Sequence, residues 1–87
     1  MGLTDDFNLA VSQSKELTKR PSNEELLELY ALFKQGSEGD VTGDRPGGFD
    51  FKAIAKYDAW AGKKGMTRDD AMQKYVDLVA RLKEQYS

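Results

Sequence analysis

The stretch Pro21-Ser22-Asn23-Glu24-Glu25-Leu26-Leu27-Glu28-Leu29-Tyr30-Ala31-Leu32-Phe33-Lys34-Gln35-Gly36 carries the signals of a helix in their proper order. Pro21 clashes with a helical Arg20, so whatever helix precedes it has ended. Ser22 is placed to cap the next helix, and Glu25 to reach back to the Ser22 N–H, a reciprocal capping box. Leu26, Leu27, Leu29, Tyr30 and Phe33 follow as an apolar stripe at helical spacing. Gly36 is expected to stop the helix by taking a left-handed conformation.

The same period extends in both directions. Upstream, Phe7, Ala10, Val11, Ser14, Leu17 and Thr18 form a narrow stripe, with Thr4 or Asp5 available as its cap. Downstream, Gly36 to Phe49 is rich in glycine and acids and reads as a long connection. Its Asp40, Thr42 and Asp44 resemble a calcium loop, but Arg45 stands where glycine is required and Phe51 where the bidentate Glu belongs. No Gly-Lys-Ser/Thr triplet supports a phosphate cradle either. Asp50 is placed to cap a third helix carrying Phe51, Ile54, Ala55, Ala59 and Trp60, closed near Lys63-Lys64-Gly65. Thr67 opens a fourth, with Ala71, Met72, Tyr75, Val76, Val79, Leu82 and Tyr86 as its stripe. The fold class is all-α, one domain over residues 1–87, and the long second connection permits a topology other than simple up-and-down.

Composition narrows the chemistry. The 87 residues contain no cysteine and no histidine, so thiolate chemistry, disulfides and the commonest general base and metal ligand are all excluded. Ser12, Ser14, Ser22, Ser37 and Ser87 therefore have no histidine to activate them, and an enzyme is the least favoured reading. No metal or cofactor is called for. No apolar run approaches the ~18 residues of a membrane helix. The N-terminus lacks the pattern of a signal peptide, and Asp6 stands where a myristoylation motif wants Ser or Thr. A cytoplasmic monomer is the expectation. With a formal charge of −2, general affinity for nucleic acid or anionic membranes is not expected, so any anion must be held by a local cluster.

Two pairs offer such a cluster. Tyr30 and Lys34 share a face of helix 2, and Lys52 and Lys56 share a face of helix 3. Lys34 borders the apolar stripe, where a lysine lays its methylenes on the wall and keeps its ammonium outside. Spacing alone leaves two readings open for each. Surface lysines such as Lys15 are ordinarily solvated, and Tyr30 and Tyr75 fit equally well as core tyrosines with the hydroxyl at the rim.

The run Pro21–Gly36 is similar to the acyl-CoA-binding protein family. So are Gly39-Asp40, Arg45-Pro46-Gly47, Asp50-Phe51-Lys52, Ala55-Lys56-Tyr57-Asp58-Ala59-Trp60, Lys64-Gly65-Met66-Thr67 and Asp70-Ala71-Met72-Gln73-Lys74-Tyr75-Val76. The motifs agree in order over nearly the whole chain. The resemblance implies an up-down-down-up four-helix bundle with a bowl-shaped site for medium- to long-chain fatty acyl-CoA, acting as a carrier and pool former without catalysis. Carried over by position, Tyr30, Lys34 and Lys56 meet the adenine and 3′-phosphate end of the coenzyme. Lys15, Lys52 and Tyr75 fall at further contact positions, and Leu26 and Leu27 at apolar positions facing the ligand. Lysines serve phosphate as point charges, and an acyl chain gains roughly 0.8 kcal/mol per methylene removed from water.

The chain departs from the family pattern at four places. Tyr57 stands where tryptophan is frequent, and Ala53-Ile54 where Gly-Lys is, which removes one lysine from the basic complement. Ser14 replaces a common valine, which is expected to loosen the seam between helices 1 and 4. Gly36 replaces a usual alanine, which is expected to weaken the end of helix 2 by up to ~1 kcal/mol. The principal rival is a small bundle offering an apolar groove to a partner protein's helix. A membrane-surface lipid binder comes third, because the basic residues are scattered over several helices.

Overall fold

Ser22 does what its position requires. Its hydroxyl accepts from the Glu25 N–H at 3.1 Å, and the Glu25 carboxylate accepts from the Ser22 N–H at 2.9 Å. In the computed structural model, which describes residues 2–86, that box opens the second of four helices. They are α1 (Leu3–Ser14), α2 (Asn23–Glu38), α3 (Phe51–Ala61) and α4 (Arg68–Tyr86), with no strand among the described residues.

Two helix ends differ from expectation. The α1 helix begins from Gly2, whose extended backbone precedes the first turn, and not from Thr4 or Asp5. It ends at Ser14, leaving Leu17 and Thr18 outside. The N–H groups of Lys15 and Glu16 turn to the carbonyls of Ser12 and Gln13, three residues back, which tightens and terminates the helix. Leu17 still packs on the core, and the Thr18 hydroxyl donates to the Tyr86 carbonyl at 2.6 Å. The second difference is at Gly36, which does not stop α2. The helix continues to Glu38, and Gly39, at φ +85°, ends it. Gly36 serves close approach instead: a Cβ there would lie 3.2 Å from Met72 Cγ and 3.3 Å from Phe7 Cζ. Whatever helix propensity the glycine forgoes, it allows α1, α2 and α4 to meet.

The core is built by those three helices. Phe7 and Ala10 from α1 and Leu29 and Leu32 from α2 pack with Ala71, Tyr75, Leu78, Val79 and Leu82 from α4. Leu78, absent from the predicted stripe, lies three residues after Tyr75 and four before Leu82, on the same face. The α3 helix behaves differently. Of its predicted stripe only Trp60 is buried, and Phe51 is 71% exposed. That helix stands partly away from the core and leaves a furrow against α2.

Contacts between helix ends fix the directions. Gly36, near the end of α2, meets Phe7 in the first half of α1 and Met72 in the first turns of α4. Tyr86, closing α4, donates its hydroxyl to Glu25 at the start of α2. Trp60 Nε1, near the end of α3, donates to the Gly39 carbonyl at the end of α2, at 2.9 Å. The α1 and α4 helices therefore oppose α2, and α3 runs alongside α2: up-down-down-up.

The long connection after Gly39 is clamped to α3 and to the turn beyond it. The Tyr57 hydroxyl donates to the Gly43 carbonyl at 3.0 Å, and the Arg45 guanidinium forms two bonds to the Asp58 carboxylate at 2.9 and 3.0 Å. Tyr57 thus has a bond of its own to make at the position where the family pattern often has tryptophan. Asp40 Oδ1 accepts from Gly65 N–H and from Gln35 Nε2, both at 2.9 Å, and the buried Gln35 also donates to the Met66 carbonyl. The Gly65 N–H, then the Gln35 amide, hold the Asp40 carboxyl below its ordinary 3.8. A depressed folded-state value means that Asp40 stabilises the fold above its unfolded pKa and loses that effect as pH falls through the folded one. Asp40→Asn is accordingly expected to melt earlier than wild type at neutral pH, with the difference shrinking below about pH 4. Melting curves across pH check this, and a gap that persists or widens in acid contradicts it.

Candidate functional site

The furrow between α2 and α3 opens into a two-lobed bowl. One lobe, about 380 Å³, is floored by Leu26, Leu27 and Ala55 and edged by Lys52, Lys56 and Arg20. The other, also about 380 Å³, lies between α1 and α2 against α4, walled by Val11, Leu29, Phe33 and Tyr75 with Lys15 at its edge. Leu26 and Tyr30 line both and form the ridge between them. Together the lobes fall in the size range of small-molecule sites, ~300–1,000 Å³.

Local sequence explains this placement. Leu26 and Tyr30 are four apart on α2, so they stack along one face, and Lys52, Ala55 and Lys56 do the same on α3. Lys56 Nζ lies 5.3 Å from the Tyr30 ring centroid, a cation–π contact that ties the two helices across the furrow. The lining of the two lobes includes Lys15, Arg20, Lys52 and Lys56 and no carboxylate, although the whole chain carries a charge of −2. A third depression, between α2 and α4, mixes Glu28 and Asp77 with Lys74 and Arg81 and has no such single-sign character.

Seven of the eight residues singled out in the sequence line the bowl: Lys15, Leu26, Leu27, Tyr30, Lys52, Lys56 and Tyr75. Lys34 does not. Its ammonium pairs with Glu38 and lies 4.9 Å from the Trp60 ring centroid, one helical turn beyond Tyr30. Sequence reasoning missed Arg20, Asn23 and Ala55 in one lobe and Val11, Ser14, Leu29 and Phe33 in the other as lining residues. Ala55 was accessible as the residue three after Lys52. Arg20 was not, since it precedes α2 and is held over the lobe by a 3.1 Å bond to Asn23 Oδ1.

Tyr75 is only 4% exposed and sits edge-on to Phe7 at 5.2 Å between ring centroids. Its hydroxyl donates to Ser14 Oγ at 3.2 Å, while Ser14 donates to the Val11 carbonyl at 2.7 Å. Burial raises the Tyr75 pKa above its usual 10, offset in part by Ser14, so the phenol stays neutral. Ser14 thus supplies a polar link between α1 and α4 where the sequence led us to expect a looser seam. Among the described residues no group of three or more Asp and Glu side chains is arranged to hold a metal. The bowl offers apolar wall, aromatic faces and ammonium groups, which together suit an amphipathic anion.

Comparison with known proteins agrees in sequence and in shape. The family profile described as acyl CoA binding protein matches residues 4–79. Acyl-CoA-binding protein homolog 1 of Caenorhabditis elegans is 52% identical over 84 residues, covering 97% of this chain and 98% of that protein. The acyl-CoA-binding protein of Brassica napus is 48% identical, covering 97% and 91%. The crystal structure of Oryza sativa acyl-CoA-binding protein 2 superposes with a TM-score of 0.92 at 39% identity, over 97% of this chain and 93% of that one.

Proposed function

This chain belongs to the acyl-CoA-binding protein family, and on that premise we propose that it holds medium- to long-chain fatty acyl-CoA in the two-lobed bowl and carries it without reacting it. The observation that carries the reading is the combination, in one bowl, of apolar floor, aromatic faces and a rim of cations without a carboxylate. Leu26, Leu27 and Ala55 offer apolar surface to the acyl chain, and Tyr30 and Phe33 offer aromatic faces to the purine, with the buried Tyr75 behind them in the wall. Lys52, Lys56 and Arg20 edge the first lobe and Lys15 the second, within reach of phosphates that pass over the Tyr30 ridge. Lys34 joins them by exchanging Glu38 for a phosphate.

Carriage without catalysis rests on what the bowl's polar groups do. The Ser14 hydroxyl donates to its own helix backbone and the Tyr75 phenol donates to Ser14, so neither faces a base. Holding both ends of the ligand also explains selectivity. Free coenzyme lacks the apolar chain, and free fatty acid lacks the phosphates and the purine.

Calorimetric titration with palmitoyl-CoA, free CoA and palmitate in parallel tests the reading. Palmitoyl-CoA is expected to bind far more tightly than either fragment, because its chain contributes roughly 0.8 kcal/mol per buried methylene on top of the head-group contacts. Binding confined to palmitate overturns the proposal.

A further inference from the structure

The connection between α1 and α2 carries a motif that the bowl does not use. Lys19-Arg20-Pro21-Ser22 places two cations three and two residues before a hydroxyl. Lys19, Arg20 and Ser22 are exposed, and Pro21, buried between them, anchors the run. Ser22 is itself extended, at φ −62° and ψ 161°. From Leu17 to Pro21 no backbone group hydrogen-bonds another backbone group among the described residues, so the segment straightens without breaking a ladder. The Ser22 oxygen accepts from the Glu25 N–H, and among the described residues its own proton has no acceptor.

Other hydroxyls are placed differently. Those of Ser14, Thr18 and Ser37 donate to backbone carbonyls, and Ser12 lies inside α1. Thr67 also follows cations, but there Lys63 is paired with Glu28 and the turn is closed by the Met66 N–H on the Lys63 carbonyl. Ser22 alone among these combines an exposed hydroxyl, an extended backbone and unpaired cations just upstream. A serine kinase whose substrate cleft is acidic accepts that presentation, because the cations fill its carboxylate subsites while the hydroxyl reaches its base.

We infer that Ser22 is a phosphorylation site for a kinase that selects upstream basic residues, and that its phosphate closes the rim of the bowl to anions. In the transfer the Ser22 Oγ–phosphorus bond forms as the γ-phosphoryl group of ATP leaves ADP, and the hydroxyl proton passes to the kinase's carboxylate base. The new dianion stands at the start of α2, where backbone N–H groups and the helix dipole favour it. It also stands next to Asn23, whose Oδ1 holds the Arg20 guanidinium at 3.1 Å, and Arg20 exchanges that amide for the phosphate. Glu24 and Glu25 oppose it as like charges. Glu25 therefore gives up the Ser22 N–H and keeps the Tyr86 hydroxyl. Arg20 edges the lobe that Lys52 and Lys56 also line, so phosphorylation withdraws one rim cation and sets a dianion beside the other two. This second half rests on the acyl-CoA reading; the modification site itself does not.

Incubating the folded full chain with ATP and the catalytic subunit of cAMP-dependent protein kinase, followed by intact mass and peptide mapping, tests the site. One phosphate is expected on Ser22 in the wild type and none there in Ser22→Asn, which keeps a capping side chain. Arg20→Ala is expected to slow labelling by about tenfold or more, the loss of one charged contact to the kinase. Calorimetric titration of the phosphorylated protein with palmitoyl-CoA is expected to show affinity about ten- to a hundredfold below that of the unmodified protein, with helix content by circular dichroism unchanged. Labelling only after heat unfolding, or only at another hydroxyl, overturns the site. Equal labelling rates in Arg20→Ala and wild type overturn the basic-directed kinase. Unchanged palmitoyl-CoA affinity on phosphorylation, in a protein whose unmodified form binds it, overturns the control of the rim, and so does an affinity loss that tracks loss of helix. Labelling of Ser22 in a protein that binds no acyl-CoA upholds the site and sinks the carrier reading alone.

Discussion

Tyr75→Ala is expected to lose roughly 3–5 kcal/mol of stability, much of the ~5–15 kcal/mol that a domain possesses. The side chain is almost wholly buried and wedged between Phe7 and Phe33, so its removal opens a cavity where α1, α2 and α4 meet. Tyr75→Phe separates packing from chemistry. It keeps the ring, and Ser14 keeps its bond to the Val11 carbonyl, so no buried donor is orphaned. Melting should change little. Acyl-CoA affinity should fall by about 0.5–1.5 kcal/mol, the contribution of one neutral hydrogen bond, if the hydroxyl on the wall of the bowl reaches the ligand. Thermal melts and ligand titrations on the two variants decide. A Phe variant that binds normally but melts early makes Tyr75 a structural residue alone.

Lys56→Ala is expected to weaken acyl-CoA binding by about ten- to a hundredfold, or ~1.5–3 kcal/mol, with the fold retained. Lys56 stands at the ridge, over the Tyr30 ring, without a carboxylate partner at hydrogen-bonding distance among the described residues, so its charge is available to a phosphate. Lys34→Ala is expected to cost less, because Lys34 begins paired with Glu38 and over Trp60 and must give up the first to reach a ligand. Titrating both variants under one salt condition orders them. Unchanged affinity in Lys56→Ala removes that lysine from the head-group contacts, and a larger loss in Lys34→Ala reverses the assignment.

Much of this was legible along the chain because it is local. Ser22 and Glu25 form their box, and Asp50 and Thr67 accept the N–H groups of Ala53 and Asp70, since a cap and its partner lie three residues apart. Ala71, Tyr75, Val79 and Leu82 of the α4 stripe are buried as read, with Met72, Val76 and Tyr86 half-buried beside them, since a period of 3.6 places the four on one side whatever lies opposite. The presence of lysines at Lys52 and Lys56 beside Ala55 and opposite Leu26, Leu27 and Tyr30 follows from the same periodicity once α2 and α3 are known to be neighbours.

Periodicity names a face but not what meets it, and there the tertiary structure decided. Gly36 reads as a helix stop and proves to be a point of closest approach, because Phe7 and Met72 arrive from 29 residues before it and 36 after it. Phe51 reads as core on an apolar helix and stands in water, because α3 is held to the bundle by Trp60 and by the clamped connection and leaves its opening turn free. Lys34 reads as a partner of Tyr30 and turns instead to Glu38, four residues on, where an ion pair forms without any ligand. By itself the sequence determined four helices, the N-terminal caps of the last three, most of the face that α4 buries and, through resemblance, the ligand class. How those faces meet, and so which charges remain open to a ligand, depends on contacts between distant residues, and only the folded chain brings them together.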